Sequence, residues 1–304
     1  DEAHLRTLHR LRGTGPSRSG PGRAMNNTEQ IADWNGEQGR RWAEHQQRID
    51  RMIEAYGNAA LQAAAAMPGE QVLDIGCGSG STTLALARAV GPRGSVYGVD
   101  ISQPMLAVAQ QLAAAHPELK LSFAEADASN AALPSGQDLL FSRFGLMFFA
   151  EPAAALRHLR SHLKPDGRCA FVCWRTPRDN PWAMAPLMAA RQALGIKPPP
   201  ADPLAPGPFA FADEQRLRGL MAEAGFGAIE LQRFDAPNAL GASTHEAALN
   251  CLQIGPVSRL LREVGAAHQA TIVDAIETAL HPHAAADGSV SLGGSIWVAT
   301  ATRG

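Results

Sequence analysis

The chain has 304 residues, room for one large α/β domain or two small ones, and its 27 basic and 29 acidic side chains leave a formal charge of −2 at pH 7. With neither a basic excess nor an acidic run, a nucleic-acid partner is not expected. The 4 scattered cysteines fit no iron–sulfur or zinc spacing, no metal is expected, no apolar run reaches membrane-spanning length, and the basic N-terminal stretch lacks a signal peptide's apolar core, so a reducing, cytoplasmic setting is the expectation.

Residues 1–24 are rich in Arg, Gly, Ser and Pro and cannot bury a core, so this stretch is expected to be disordered. It reads as upstream or non-native leader sequence ahead of Met25, or else as a basic arm for a phosphate-bearing partner. From Thr28, a candidate N-cap, helical spacing carries Ile31, Trp34, Gln38, Trp42 and His45, and a second helix holds Met52, Ile53, Tyr56, Ala60, Leu61 and Ala64. Strands and helices then alternate: a strand at 70–75, a helix at 81–90, a strand at 95–99, a helix from Pro104 to His116, strands at 119–124 and 138–142, and a helix from about 151 to Leu163. The run Cys169–Trp174 is almost wholly apolar, as a strand covered on both faces is, and its cysteines read as packing residues. Such alternation predicts a parallel sheet with helices on both faces and ligands outside the strands' carboxyl ends. Residues 175–212 interrupt the rhythm with a helical piece, Trp182–Leu194, and then Pro198, Pro199, Pro200, Pro203, Pro206 and Pro208. A helix capped by Asp213 and ended by Gly225, a strand at about 227–235, a helical region at 244–281 and a last strand at 295–301 complete the chain.

The chemistry concentrates in Asp74-Ile75-Gly76-Cys77-Gly78-Ser79-Gly80, which joins the first strand to its helix. Glycines at alternate positions let a ligand approach the backbone, and the N–H groups at the next helix start carry partial positive charge. The spacing is G-x-G-x-G, not the G-x-G-x-x-G of dinucleotide sites. Asp74 at the strand end repels a pyrophosphate and attracts an ammonium, so a ligand with an ammonium and a carboxylate suits the loop, the ammonium on Asp74 and the carboxylate on the loop N–H groups. The methionine part of S-adenosylmethionine has both. Asp100, ending the second strand about twenty residues on, has the spacing of a ribose-binding acid, and Asp127 after the third strand is placed for an adenine amino group.

In these residues the chain resembles the class I S-adenosylmethionine-dependent methyltransferases, most closely the small-molecule group called type 11 or ubiquinone-biosynthesis-like. The loop at 74–80 matches their first motif. Val99-Asp100-Ile101-Ser102 with Met105 is similar to the second, Glu125-Ala126-Asp127-Ala128 to the third, Asp138–Ser142 to the fourth strand, and Leu163–Arg168 to the turn before strand five, with Asp166-Gly167 where two glycines are usual. The resemblance implies a Rossmann-like, seven-stranded, mostly parallel sheet with an antiparallel last strand, and helical lid insertions at 26–66, 175–212 and 240–285 of one domain spanning 25–304. It also implies S-adenosylmethionine held by Asp74, Gly76, Cys77, Gly78, Ser79, Gly80, Asp100, Ile101, Met105, Asp127, Ala128 and Ser142, and methyl transfer to a small molecule at O, N or C.

Methyl transfer from a sulfonium is an in-line displacement that positioning alone can accelerate. Candidate acceptor-facing residues are Trp34 and Trp42 from the leading helices, Arg143, Phe144, Met147 and Phe148 after strand four, and Trp174 closing strand five, which together describe an apolar pocket with one positive group. Arg143 and His245 are the candidate catalytic residues; His158 and His162, four apart on a helix, read as a solvent-facing pair. Two other readings are an NAD-dependent oxidoreductase, disfavoured by Asp74 and the glycine spacing, and a non-catalytic S-adenosylmethionine-binding protein. Oligomeric state has no sequence signal.

Overall fold

A computed structural model describes residues 27–198, 202 and 204–304. The leader at 1–24 and the prolines at 199, 200 and 203 lie outside the described residues. Four short helices come first: α1 (Asn27–Asn35), α2 (Glu37–Glu44), α3 (Gln46–Met52) and α4 (Glu54–Ala64). Two were expected. The breaks fall at Gly36, His45 and Ile53; the first is marked by its glycine, while His45 and Ile53, each with ψ of 13°, leave helical geometry without any glycine or proline to announce it. Thr28 sits inside the first turn of α1, not ahead of it as a cap.

The alternating region follows the expected order: β1 (Gln71–Ile75), α5 (Ser81–Val90), β2 (Ser95–Asp100), α6 (Gln103–Ala114), β3 (Leu121–Glu125), β4 (Gln137–Arg143), a 3-10 turn at Leu146–Phe148, α7 (Pro152–Ser161) and β5 (Leu163–Trp174). Then come α8 (Pro181–Ala193), α9 (Glu214–Glu223), β6 (Gly227–Gly241), α10 (Thr244–Cys251), α11 (Gly255–Val264), α12 (Gln269–Leu280) and β7 (Val290–Thr302). One seven-stranded sheet runs β3-β2-β1-β4-β5-β7-β6. β1 to β5 pair in parallel, while β7 lies antiparallel to both its neighbours. The order reverses between β1 and β4, and in open α/β sheets the crevice beyond that reversal is where ligands bind.

Three strands exceed their sequence reading. β5 begins at Leu163 opposite Gln137, throws Lys164, Pro165 and Asp166 out to solvent, and resumes with Arg168 opposite Leu139. β6 and β7 continue as a hairpin to the pair Gly241–Val290. The added residues include Pro237, Gly293 and Gly294, which lower strand propensity and hide the strand from pattern reading. Gly294 is needed there: a Cβ would stand 2.2 Å from the Tyr56 hydroxyl and 2.4 Å from Asn238 Nδ2.

The sheet and its flanking helices bury one large core, with Leu73, Leu139, Phe141 and Phe171 among its fully buried side chains. A second core gathers Leu187 and Ala190 of α8, residues of α10, α11 and α12, and Leu240, Val290 and Leu292 from the far end of the β6–β7 hairpin. All four cysteines are free and buried, Cys169 and Cys173 inside β5 as packing residues. Among the described residues no helix is long and apolar enough to cross a membrane.

Candidate active site

The loop after β1 folds as its glycines require. Gly76, Gly78 and Gly80 all take positive φ, at 68°, 54° and 86°. Gly76 also lies against Gly145 beyond β4, where a Cβ would come within 2.9 Å of the Gly145 Cα. The Ser142 hydroxyl fastens this junction, donating to the Ile75 carbonyl at 2.7 Å and accepting from Gly145 N–H at 3.2 Å.

Most loop N–H groups are already bonded. Gly76 and Cys77 donate to the Val99 carbonyl, Gly78 to Asp100 Oδ2 at 2.8 Å, and Gly80 to the Cys77 carbonyl. This corrects the expectation that the loop amides receive a carboxylate. The amides that an α-helix leaves unbonded are those of its first turn, here Ser81, Thr82 and Thr83 of α5. Two cofactor assignments change with it. Cys77 is buried, its sulfur facing Gly98 and its thiol pushed far up by burial, so it is a packing residue. Ser142, buried with its hydroxyl engaged twice, is a brace for the loop.

Asp74 is completely buried at the end of β1. Its Oδ2 accepts from Thr83 at 2.7 Å and Thr82 at 3.2 Å, while Oδ1 has no partner among the described residues. Burial pushes its carboxyl up to about 6, against the pull of the two hydroxyls and the Arg143 charge. The Ser79 hydroxyl is likewise buried and unpartnered. An unmet acceptor and an unmet hydroxyl in one loop match a ligand that brings both an ammonium and a carboxylate.

Asp100 closes β2 with both oxygens engaged, Oδ2 by Gly78 N–H and Oδ1 by Ser102 N–H at 2.9 Å, each oxygen keeping a second lone pair for a hydroxyl. Burial raises its carboxyl above the ordinary range. Met105, one turn into α6, lies over the loop: its Cε is 2.7 Å from where a Gly78 Cβ would stand. Ile101 and the buried Ala128 flank the same strand ends, and the carboxylate of Asp127 accepts from Ser129 N–H.

The leading helices roof this loop. Trp34 accepts through its carbonyl from Ser102, just beyond β2, and its ring meets Phe148, just beyond β4, at 5.8 Å. Because β1 lies between β2 and β4, α1 and α2 cross above the loop after β1. Trp42 packs edge-on to Trp34 at 5.5 Å. In α3, Asp50 binds both Ser81 Oγ at 2.9 Å and Arg143 Nη2 at 2.8 Å. Arg143 Nη2 also donates to Ser81 at 2.9 Å, which ties the roof to the start of α5. A guanidinium so engaged, with donors only and no acceptor, is a strut and not a base.

A second aromatic group lies under α4. Phe144 stacks on Trp174 at 4.3 Å, Trp182 meets Trp174 at 5.0 Å, and the Tyr56 ring stands edge-on to Phe144, Trp174 and Phe234. Phe144 holds φ at +63°, a strained setting for an aromatic residue at the end of β4. Tyr56 donates to the Ala236 carbonyl at 2.7 Å and accepts from Asn238 at 3.0 Å, and burial pushes its phenol up to about 12.

Three sequence assignments fail. Met147 is turned into the main core by the 3-10 turn. His245 is exposed at the start of α10 and pairs with Glu277 of α12 at 3.0 Å, a partner remote in the fold from the strand ends. His158 and His162 do not face solvent: their rings meet at 4.9 Å, His158 Nε2 lies 2.8 Å from the Ala131 carbonyl, and His162 is buried. Asp50, Ser81, Tyr56 and Gly145 carry no motif, and their part in the site emerges only from contacts between distant segments.

The methyltransferase domain family matches residues 72–167, the loop and the strands around it. Similar proteins include the 2-phytyl-1,4-naphtoquinone methyltransferase of Trichormus variabilis, 36% identical over 40% of this chain and 54% of that protein. The demethylmenaquinone methyltransferase of Staphylococcus epidermidis is 31% identical over 55% of this chain and 71% of its own length. The chain belongs to the class I S-adenosylmethionine-dependent methyltransferases. It spans only about half the length of several curated family members that it matches. The crystal structure of the YcgJ protein from Bacillus subtilis shares the fold, with a TM-score of 0.55 at 18% identity, covering 82% of this chain and 98% of that one. The family's seven-stranded sheet with its antiparallel last strand is the sheet described above.

Proposed function

We propose that this chain binds S-adenosylmethionine and transfers its methyl group to a small, partly apolar molecule. The observation that carries this reading is Asp74: a fully buried carboxylate at the end of β1, with one oxygen unpartnered, behind three glycines of positive φ. Asp74 Oδ1 takes the ligand's ammonium, Ser79 Oγ and the first-turn amides of α5 its carboxylate, Asp100 the ribose hydroxyls, and Asp127 with Ala128 the adenine edge. Bound there, S-adenosylmethionine would supply a methyl on a positively charged sulfur, a leaving group able to take the bonding electron pair when an acceptor's lone pair displaces it. The protein's contribution is alignment and exclusion of water by the roof of α1 to α3, which is where the acceleration of such a displacement resides. Residues 26–66, 175–212 and 240–285 act as the lid of a single domain. The menaquinone- and naphtoquinone-directed relatives support an apolar acceptor.

Calorimetric titration with S-adenosylmethionine and, separately, NAD tests the donor, and labelled S-adenosylmethionine incubated with a metabolite extract tests the transfer. Micromolar binding of the first and not the second, with label passing to a small molecule, is expected. Binding of NAD alone overturns the donor assignment, and donor binding with no label transferred makes the chain a non-catalytic binder.

A further inference from the structure

One cavity of the fold lies away from the glycine loop. It opens on the opposite side of α3, with an empty space of about 420 Å³ that is partly open to solvent. Met52, Trp182, Ile254 and Val257 make its wall apolar, and Arg48 and Asn250 supply the polar atoms. A helix turns about 100° per residue, so Arg48 and Met52 share one face of α3 while Asp50, two residues from each, points the other way, to Ser81 and Arg143. A single short helix thus divides the methyl-donor site from this cavity. Past its end the two are joined by aromatic rings, Trp182 on Trp174 and Trp174 on Phe144.

Arg48 is the unexplained group. Its Nη1 donates to Asn250 Oδ1 at 2.5 Å, and Asn250 is held in turn by the Leu240 carbonyl at 2.7 Å. Its Nε and Nη2 are both buried with no partner among the described residues. These two nitrogens form one edge of the guanidinium, the edge that receives both oxygens of a carboxylate side by side. No acid stands within ion-pair distance among the described residues. The nearest acidic influence, Glu246, is spent on its own helix: its Oε2 accepts from Ala242 N–H at 2.9 Å while the Ser243 hydroxyl accepts from Glu246 N–H at 3.1 Å, a capping box at the start of α10. The remaining charged neighbour, Arg51, repels, and the Cys251 thiol is held neutral by burial. A half-buried cation with two shielded, unpartnered nitrogens on one edge costs stability unless a ligand completes it.

We propose that this cavity holds the end of the acceptor remote from the transferred methyl, and that Arg48 binds a carboxylate there. The acceptor is then an apolar molecule bearing one carboxylate, a class the methyl-transfer reading, on which this rests, leaves open.

The test is calorimetry on the full chain in the presence of S-adenosylhomocysteine, with 1-naphthoate as the charged probe and 1-naphthalenemethanol as its neutral analogue. Arg48→Met is expected to weaken 1-naphthoate at least tenfold and the alcohol less than threefold. Val257→Trp, which fills the cavity, is expected to abolish both. Should Arg48→Met fail to fold, Arg48→Lys replaces it, with an expected intermediate loss of naphthoate affinity from losing the bidentate edge. Equal naphthoate affinity in wild type and the Arg48 variant, or undiminished binding to Val257→Trp, overturns the proposal. Binding of S-adenosylhomocysteine itself is expected to be unchanged in all variants. Its absence from the wild type sinks the methyl-transfer reading instead, so the two failures are told apart.

Discussion

Asp74 holds a carboxyl raised to about 6 from an ordinary value near 3.8, with burial as the main cause. Between those two values the folded, unliganded chain keeps a proton that the unfolded chain has lost. Ionising Asp74 therefore weakens the fold as pH rises through that window, and the cost is complete above 6. An ammonium on Oδ1 reverses the preference, because it favours the charged form and expels the proton. Affinity for S-adenosylmethionine is expected to be flat near neutrality and to fall below pH 6, approaching tenfold per pH unit. Asp74→Asn should bind at least tenfold more weakly and without that slope, and calorimetry from pH 5 to 7 reads both; a slope retained by the variant contradicts the role. Asp74 and Asp100 were legible because each stands at a strand end at a set distance from glycines. Asp50 and Gly145 were not, because what defines them is a neighbour from a distant segment. The loop amides misled, since the sequence shows the glycines but not that Val99 and Asp100 already occupy the N–H groups between them.

At the scale of elements, the interior of each strand and helix of the alternating region was legible from periodicity, and the ends were not. The excursion at Lys164–Asp166 looks like a turn in sequence, yet the chain is already paired at Leu163. Arg168, just past it, explains why the detour is kept. Its guanidinium takes Glu70 at 2.7 and 2.9 Å and the carbonyls of Ala64 and Ala65 at 3.0 and 2.9 Å, so it caps the end of α4 and fixes the approach to β1 together. Arg168→Ala leaves Glu70 with its charge partly buried and the last carbonyls of α4 unmet. A loss of about 2–3 kcal/mol is expected in urea unfolding. Arg168→Lys should recover less than half of it, because an ammonium cannot span both carboxylate oxygens and the helix end. Full recovery by lysine would mean that charge alone is at stake.

For the molecule as a whole, the β6–β7 hairpin belongs to both cores. Ile296, Trp297 and Val298 pack in the large one, Leu240, Val290 and Leu292 in the small one. The inserted helices are therefore fastened to the sheet by continuous strands and are not hinged on it by a linker. One cooperative transition is expected in scanning calorimetry. Leu280→Ala, deep in the small core, should lower the stability of the entire fold by about 3 kcal/mol, moving the single peak without splitting it. A separate low-temperature peak would show the helical region melting alone. This shared hairpin was hidden in the sequence, where Pro237, Gly293 and Gly294 argue against strand, and the presence of Gly294 is explained only by its tertiary fit against Tyr56 and Asn238.

The position of β7 between β5 and β6 also sets the order in which the molecule can be born. On a ribosome β5 emerges long before β7, and β6 emerges with no neighbour to pair with. Until the last strand is translated, β5 is bare along one side and β6 along both, and such edges are what nascent chains use to associate with one another. The nascent chain must therefore be shielded, or must outrun aggregation, from the emergence of β5 until that of β7.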